Sequence, residues 1–314
     1  MKIKKEEILS LEDKILIEFL SKYRIMSMKD AKSIYKTDWY YRKRISKLVE
    51  REYIKKYKYY YIMLDKRGRK ESNLIGKEYI KNKSNISYMD RLIVISNIAM
   101  ITIDSDINFI PSWKIKNKEV YTETARKFLG EINTRKSTYI VYYIDSNKSI
   151  TYFKQIIFDI NKTINYDNLI IFVDDYKIIS QMKNYFIFDK KHSYIIKNTN
   201  ENKEILKKYN DIDFYDLIKR IYNKPILISD WEYADYIAEL NHFIIVMPFI
   251  DTTKISQINW FYKENTSTKR KIDFITLKEN KDVLREILTD KCNVIIFPDN
   301  LLGGIQDEEI LLKE

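Results

Sequence analysis

The sequence predicts a chain of mixed class, α+β to α/β, in two parts. A short helical segment closed by a β-hairpin comes first, followed by a larger α/β domain with a mostly parallel or mixed sheet. Three observations carry this. Charge is divided unevenly: residues 1–85 hold 24 Lys and Arg against 12 Asp and Glu, a net of +12, while the remainder nets −1. Up to residue 52, apolar residues fall at helical spacing behind capping signals. From residue 137 onward, short β-rich runs alternate with helical patterns, an order that produces parallel strands.

The first helix is announced by Ser10-Leu11-Glu12-Asp13, which has capping-box form, and by Ile15, Leu16, Phe19 and Leu20 behind it, ending near Lys22. Ser27-Met28-Lys29-Asp30 repeats the signal for a short second helix with Met28, Ala31, Ile34 and Tyr35 on one face. Thr37 or Asp38 caps a third helix from about Trp39 to Glu52. Its apolar face holds Tyr41, Ile45, Leu48 and Val49. At about 100° per residue, the opposite face carries Tyr40, Lys43, Lys47 and Arg51, with Arg44 at its edge. Residues 53–64 have strand composition, with Lys55, Lys56 and Lys58 near a turn, and Lys66, Arg67, Arg69 and Lys70 follow. Two packed helices, an amphipathic third with a basic outer face and a basic hairpin make the winged helix-turn-helix pattern. In that pattern the third helix is expected to enter a major groove, with the wing lysines on phosphates beside it.

The expected boundaries are 1–72 for this module, 73–85 for a polar linker and 86–314 for the α/β domain, subdivided, if anywhere, near 200–225. Residues 86–103 read as a helix running into a strand that ends near Asp104. Later strands are expected at 137–145, 168–175, 185–189, 193–198, 224–230, 243–249, 271–277 and 293–299. Helices are expected at 122–132, 149–164, 204–222 and 281–288.

Composition narrows the function classes. The single cysteine, Cys292, excludes a disulfide framework and a multi-cysteine zinc site, and reads as a small buried apolar residue. The start MKIKKEEILS has no apolar leader core, and the longest apolar runs, 92–103 and 242–250, are too short to span a bilayer. The expectation is a cytoplasmic protein without membrane partners. Only His192 and His242 are present, no phosphate-binding loop of the Walker type occurs, and Gly303-Gly304 reads as a turn.

Several apolar runs end in acids: Asp145, Asp174-Asp175, Asp189, Asp230 and Asp299. Acids there serve either as metal or catalytic carboxylates or as turn and cap residues, and for each alone the cap is favoured. The sharpest cluster sets Asp145 three residues before Lys148, near the acid-x-Lys spacing of metal-dependent nucleases but one residue too long. Asp104, Asp106, Glu119 and Glu131 are candidates for a first acid. No cofactor is expected; on the nuclease alternative, Asp145 and Lys148 would serve with Mg²⁺ or Mn²⁺.

The runs KILIEFLSKYRIMSMKDAKSIY, YYRKRISKLVEREYIKK and YYIMLDKRG, the last closing on Leu64-x-x-x-Gly68, resemble the replication-relaxation family of Gram-positive plasmids and integrative elements. YIVYYIDSNKS resembles the hydrophobic-acid strand of that family's second domain, and the likeness covers residues 9–160. It implies double-stranded DNA binding in plasmid or mobile-element replication, transfer or their control. On this reading Tyr40, Lys43, Arg44, Lys47 and Arg51 face DNA from the third helix, and Lys55, Lys56, Lys58 and Arg67 contact phosphates. The α/β domain would mediate self-association as a dimer, dock other replication or transfer proteins, or form a degenerate nuclease-like core. The alternatives are the nuclease or nicking enzyme and a transcriptional regulator whose α/β domain senses a ligand.

Overall fold

The structure, a computed structural model, describes residues 9–73, 85–115, 127–163, 165–181, 188–209, 211–239 and 241–298. The chain is of mixed α and β class with three sheets among these residues. It divides into two compact units, Met1–Asp104 and Ser105–Glu314.

The first unit runs α1 (Leu11–Tyr23), β1 (Met26–Ser27), α2 (Met28–Ser33), α3 (Asp38–Glu50), β2 (Ile54–Tyr57), β3 (Tyr61–Leu64), α4 (Lys66–Glu71) and α5 (Ile86–Ala99). Ser10 caps α1 in a capping box closed by Asp13, Ser27 caps α2 and Thr37 caps α3, so each helix starts where a short hydroxyl side chain takes an orphan backbone N–H. Strands β2 and β3 form an antiparallel hairpin, and β1 adds to β3 to complete a three-stranded sheet in the order β1-β3-β2. Leu16, Leu20, Ile25, Met26, Ile45, Leu48, Ile54, Ile62, Leu64, Leu92 and Ile95 lie in the interior.

Helix α5 packs on α1 and β1, so it lies within the first unit, although its sequence assigns it to the α/β domain. The strand expected near Asp104 does not form. A 3-10 turn, Met100–Thr102, continues the helix, with Ile98, Ala99 and Ile101 buried. A short run of buried isoleucines has the same composition in either structure, and packing decides between them. The division therefore falls after Asp104; residues 74–84, most of the expected linker, lie outside the described residues.

One glycine has a steric role. A Cβ on Gly68 would sit 2.1 Å from the Tyr53 carbonyl oxygen and 2.9 Å from Leu64 Cδ2. The Leu64-x-x-x-Gly68 spacing thus lets α4 lie directly on the hairpin's entry.

The second unit runs β4 (Asn108–Pro111), α6 (Ser112–Ile115), β5 (Gly130–Asn133), β6 (Thr138–Ile144), α7 (Ile150–Lys162), β7 (Asn168–Val173), α8 (Lys177–Gln181), β8 (His192–Lys197), α9 (Asn200–Lys208) and α10 (Phe214–Tyr222). It continues with β9 (Leu227–Ile228), β10 (Tyr236–Glu239), β11 (His242–Val246), β12 (Ile250–Asp251), α11 (Thr252–Glu264), β13 (Lys271–Thr276), α12 (Lys281–Ile287) and β14 (Cys292–Ile296). One sheet has the order β12-β8-β7-β6-β5-β4 and the other β14-β13-β11-β10-β9. In each, three adjacent strands are parallel (β6-β7-β8 and β11-β13-β14) and the flanking strands antiparallel. Both sheets are mixed.

A single apolar cluster joins the two sheets: Ile140, Tyr142, Leu169 and Ile171 from one, Phe243, Ile245, Phe274 and Val294 from the other, with Phe153, Ile156 and Ile258 from α7 and α11. The chain itself crosses between sheets at Met247-Pro248-Phe249, so the strand expected over 243–249 ends at Val246 in β11, and β12, in the other sheet, begins only at Ile250. The helix expected over 204–222 is two, α9 and α10, because Asp213 caps a new start. Residues 130–132, expected as helix, form β5 instead, where Gly130 pairs with Pro111 and Val141. Of the expected helix 122–132 and strand 185–189, residues 122–126 and 185–187 lie outside the described residues, as do Glu119, Asp299 and Gly303-Gly304. Among the described residues, no helix is long and apolar enough to cross a membrane.

Gly68→Ala should lower the unfolding free energy by at least about 2 kcal/mol, since backbone rather than a movable side chain blocks the added methyl. A urea midpoint equal to wild type would show that α4 does not lie on the Tyr53 carbonyl.

Candidate nucleic-acid interface

Helix α3 is held by one buried network. Asp13 is fully buried, and one of its oxygens accepts from Tyr35 Oη at 3.0 Å and Arg44 Nε at 3.3 Å. The other accepts the Ser10 backbone N–H at 3.0 Å and pairs with Arg44 Nη2. Burial, reinforced by the Asp13 charge, pushes the Tyr35 phenol well above its ordinary range, so it stays protonated and donates to Asp13.

This pairing corrects one expectation. Arg44 is only 9% exposed and points to the core, not to the edge of the outer face. The buried side of α3 is Tyr41, Arg44, Ile45 and Leu48. At about 100° per residue the outward ridge is then Trp39, Lys43, Ser46 and Glu50, and all four are exposed. Tyr40, Lys47 and Arg51 sit on the flank and are half-buried. Tyr40 makes an edge contact with the Tyr35 ring, and Arg51 caps the helix C-terminus. Of the five α3 residues expected to face DNA, Lys43 alone lies on the ridge.

Two further residues on this helix escaped the sequence reading. Trp39 is 69% exposed with Lys43 Nζ 4.7 Å from its ring centroid. Arg42 is highly exposed and pairs with Asp38 at 3.0 Å, which also holds Lys32 at 3.1 Å. The Lys32 hydrogen bond, with the nearby Arg42 charge, holds the Asp38 carboxyl below its usual range. The cations and the aromatic ring gather on the N-terminal half of α3, while Ser46 and Glu50 occupy its C-terminal half.

The hairpin sorts its lysines by strand alternation. Lys56 shares a face with Ile54, while Lys55 is on the other face, 3.6 Å from Asp65. Lys56 and Lys58 are exposed. Arg67, on α4, is exposed and stacks 5.4 Å from the Tyr53 ring centroid. The hairpin tip and the first turn of α3 meet the same residue: Met28 N–H donates to Tyr60 O at 2.7 Å, and Tyr41 Oη donates to Met28 O at 2.8 Å.

Three of the acids expected at strand ends brace loops. Asp145 accepts the Asn147 N–H, Asp175 the Lys177 N–H, and Asp174 both the N–H and hydroxyl of Ser146. Ser149, not Asp145, caps α7. Asp145 and Lys148 lie 3.9 Å apart on the β6–α7 loop, beside a hollow of about 120 Å³ lined also by Ser146, Ser149, Tyr152 and Phe153. Tyr143 next to it is pushed up to about 12, chiefly by burial. Of the other first-acid candidates, Asp106 pairs with Arg135, and Glu131 accepts from Tyr166. His192 and His242 bond separately to Asp251 and Asp273, and Cys292 is half-buried with its thiol pushed up to about 11 by burial. Among the described residues no group of three or more His, Cys, Asp or Glu stands ready to hold a metal ion.

No family model, no curated protein and no solved structure matches this chain.

Removing the buried cation should be costly and removing the ridge cation cheap. Arg44→Ala should cost about 3–5 kcal/mol by leaving Asp13 charged and unpaired, and Lys43→Ala less than about 0.5 kcal/mol. Chemical denaturation of both variants checks this; equal midpoints would contradict it.

Proposed function

We propose that the first unit binds double-stranded DNA as a winged helix-turn-helix, with α3 as the recognition helix and β2–β3 as the wing. The supporting observation is that Arg42 and Lys43 on α3's N-terminal half and Lys58 at the hairpin tip are exposed, on two elements both docked on Met28. Recognition helices contact base edges mainly through their N-terminal residues, and a neighbouring hairpin adds phosphate contacts. The net charge of +12 in residues 1–85 supplies the long-range attraction to a polyanion.

The contact set differs from a uniformly basic helix. Lys43, Arg42 and Trp39 meet the groove, Lys56, Lys58 and Arg67 meet phosphates, and Arg44 shapes the surface without touching it. From the sequence likeness of residues 9–160 alone, we further propose a role in plasmid or mobile-element replication or transfer. In that role the second unit serves self-association or docking of other replication proteins.

Combined replacement of Arg42, Lys43 and Lys58 by Ala should weaken binding to a duplex at least about tenfold and lower the salt-dependence slope by about 2–3. Gel shifts over a salt series measure both. Wild-type-like binding by the triple variant, or no duplex binding by the wild type, would overturn the reading. Asp38→Asn should instead tighten binding by about threefold at low salt, because it removes the carboxylate that occupies Lys32 and Arg42.

A further inference from the structure

The hairpin tip carries a feature that phosphate contact does not require. Tyr59 is 89% exposed and Tyr60 74%, and Tyr59 is the most exposed large apolar side chain among the described residues. The backbone that carries both rings is tied by hydrogen bonds and strand pairing. Tyr57 and Tyr61 pair across the hairpin, Tyr60 N–H donates to Lys58 O at 2.7 Å, and Tyr60 O accepts from Met28 N–H at 2.7 Å.

The turn is also strained. Lys58 has φ 46° and Tyr59 φ 59°, a left-handed conformation that costs free energy for any residue with a Cβ. Turns of this kind normally use Gly, Asn or Asp. Lysine and tyrosine there keep the strain and add solvated aromatic surface, a combination found where backbone strain serves a site.

The surrounding sequence interleaves charge and ring, Lys55-Lys56-Tyr57-Lys58-Tyr59-Tyr60, with Lys58 Nζ 5.6 Å from the Tyr57 ring centroid. Interleaved cations and aromatic rings suit a strand whose phosphates and base faces are both open. An intact duplex presents phosphates to such a tip but keeps its base faces stacked. Where strands separate, the π-faces are uncovered beside the same backbone charge.

We propose that Tyr59 and Tyr60 stack on exposed bases at a junction between double- and single-stranded DNA, with Lys56 and Lys58 on the flanking phosphates. This rests on the duplex-binding reading: α3 holds the paired arm and the tip meets the opened end. The fixed backbone matters because only side-chain rotation, and not the path of the tip, is lost when the rings stack.

The experiment compares, with the full chain, a blunt duplex and the same duplex ending in non-complementary single-stranded arms, by fluorescence anisotropy at one salt concentration. The wild type should prefer the forked probe by about tenfold or more. Tyr59→Ala with Tyr60→Ala should remove that preference and leave blunt-duplex affinity unchanged. Tyr59→Phe with Tyr60→Phe should keep it, because stacking uses the ring and not the hydroxyl. Equal wild-type affinity for both probes, or a preference that survives the double Ala change, overturns the junction proposal alone. Failure to bind either probe overturns the duplex reading with it.

Discussion

The geometry of the first unit depends on Asp13. This one carboxylate closes the capping box of α1, accepts from Tyr35 and pairs with Arg44, all without solvent. Taking both charges out of water costs much of what their attraction returns, so the pair adds little net stability. Its effect is on orientation: a misplaced α3 would leave a buried charge unpaired. The inward turn of Arg44 fixes the rotation of α3, and that rotation puts Trp39, Lys43, Ser46 and Glu50 outward.

Other parts of the candidate interface follow from close backbone packing. Met28 receives the hairpin tip through its N–H and Tyr41 through its carbonyl, so the tip and the start of α3 share one support. Gly68 lets α4 approach Tyr53, which carries Arg67 to its place over the Tyr53 ring. The tip accepts strain at Lys58 and Tyr59, and the paired strands on either side hold it there.

In the second unit several acids on or beside the strands are absorbed into structure. Asp174 ties the β6–α7 loop through Ser146, and Asp251 caps α11 while bonding His192. Asp273 receives both His242 and Tyr222. The fold is closed by the passage from β11 to β12: Thr276 Oγ1 and Asn280 Nδ2 donate to the carbonyls of Met247 and Pro248 where the chain changes sheet. These buried bonds hold two mixed sheets to one shared core.

The sequence alone determined what depends on neighbours along the chain. Ser10, Ser27 and Thr37 as helix caps, the hairpin of residues 54–64 and most strands from β6 onward were legible because capping and periodicity act within a few residues. Tertiary structure decided what depends on partners far away. It turned Arg44 inward, because Asp13, 31 residues earlier, offered a buried carboxylate that helical periodicity cannot register. It made α5 part of the first unit, ended the strand expected over 243–249 at Val246 and left Tyr59 and Tyr60 in solvent, since each outcome is set by which distant surface is there to cover the residue.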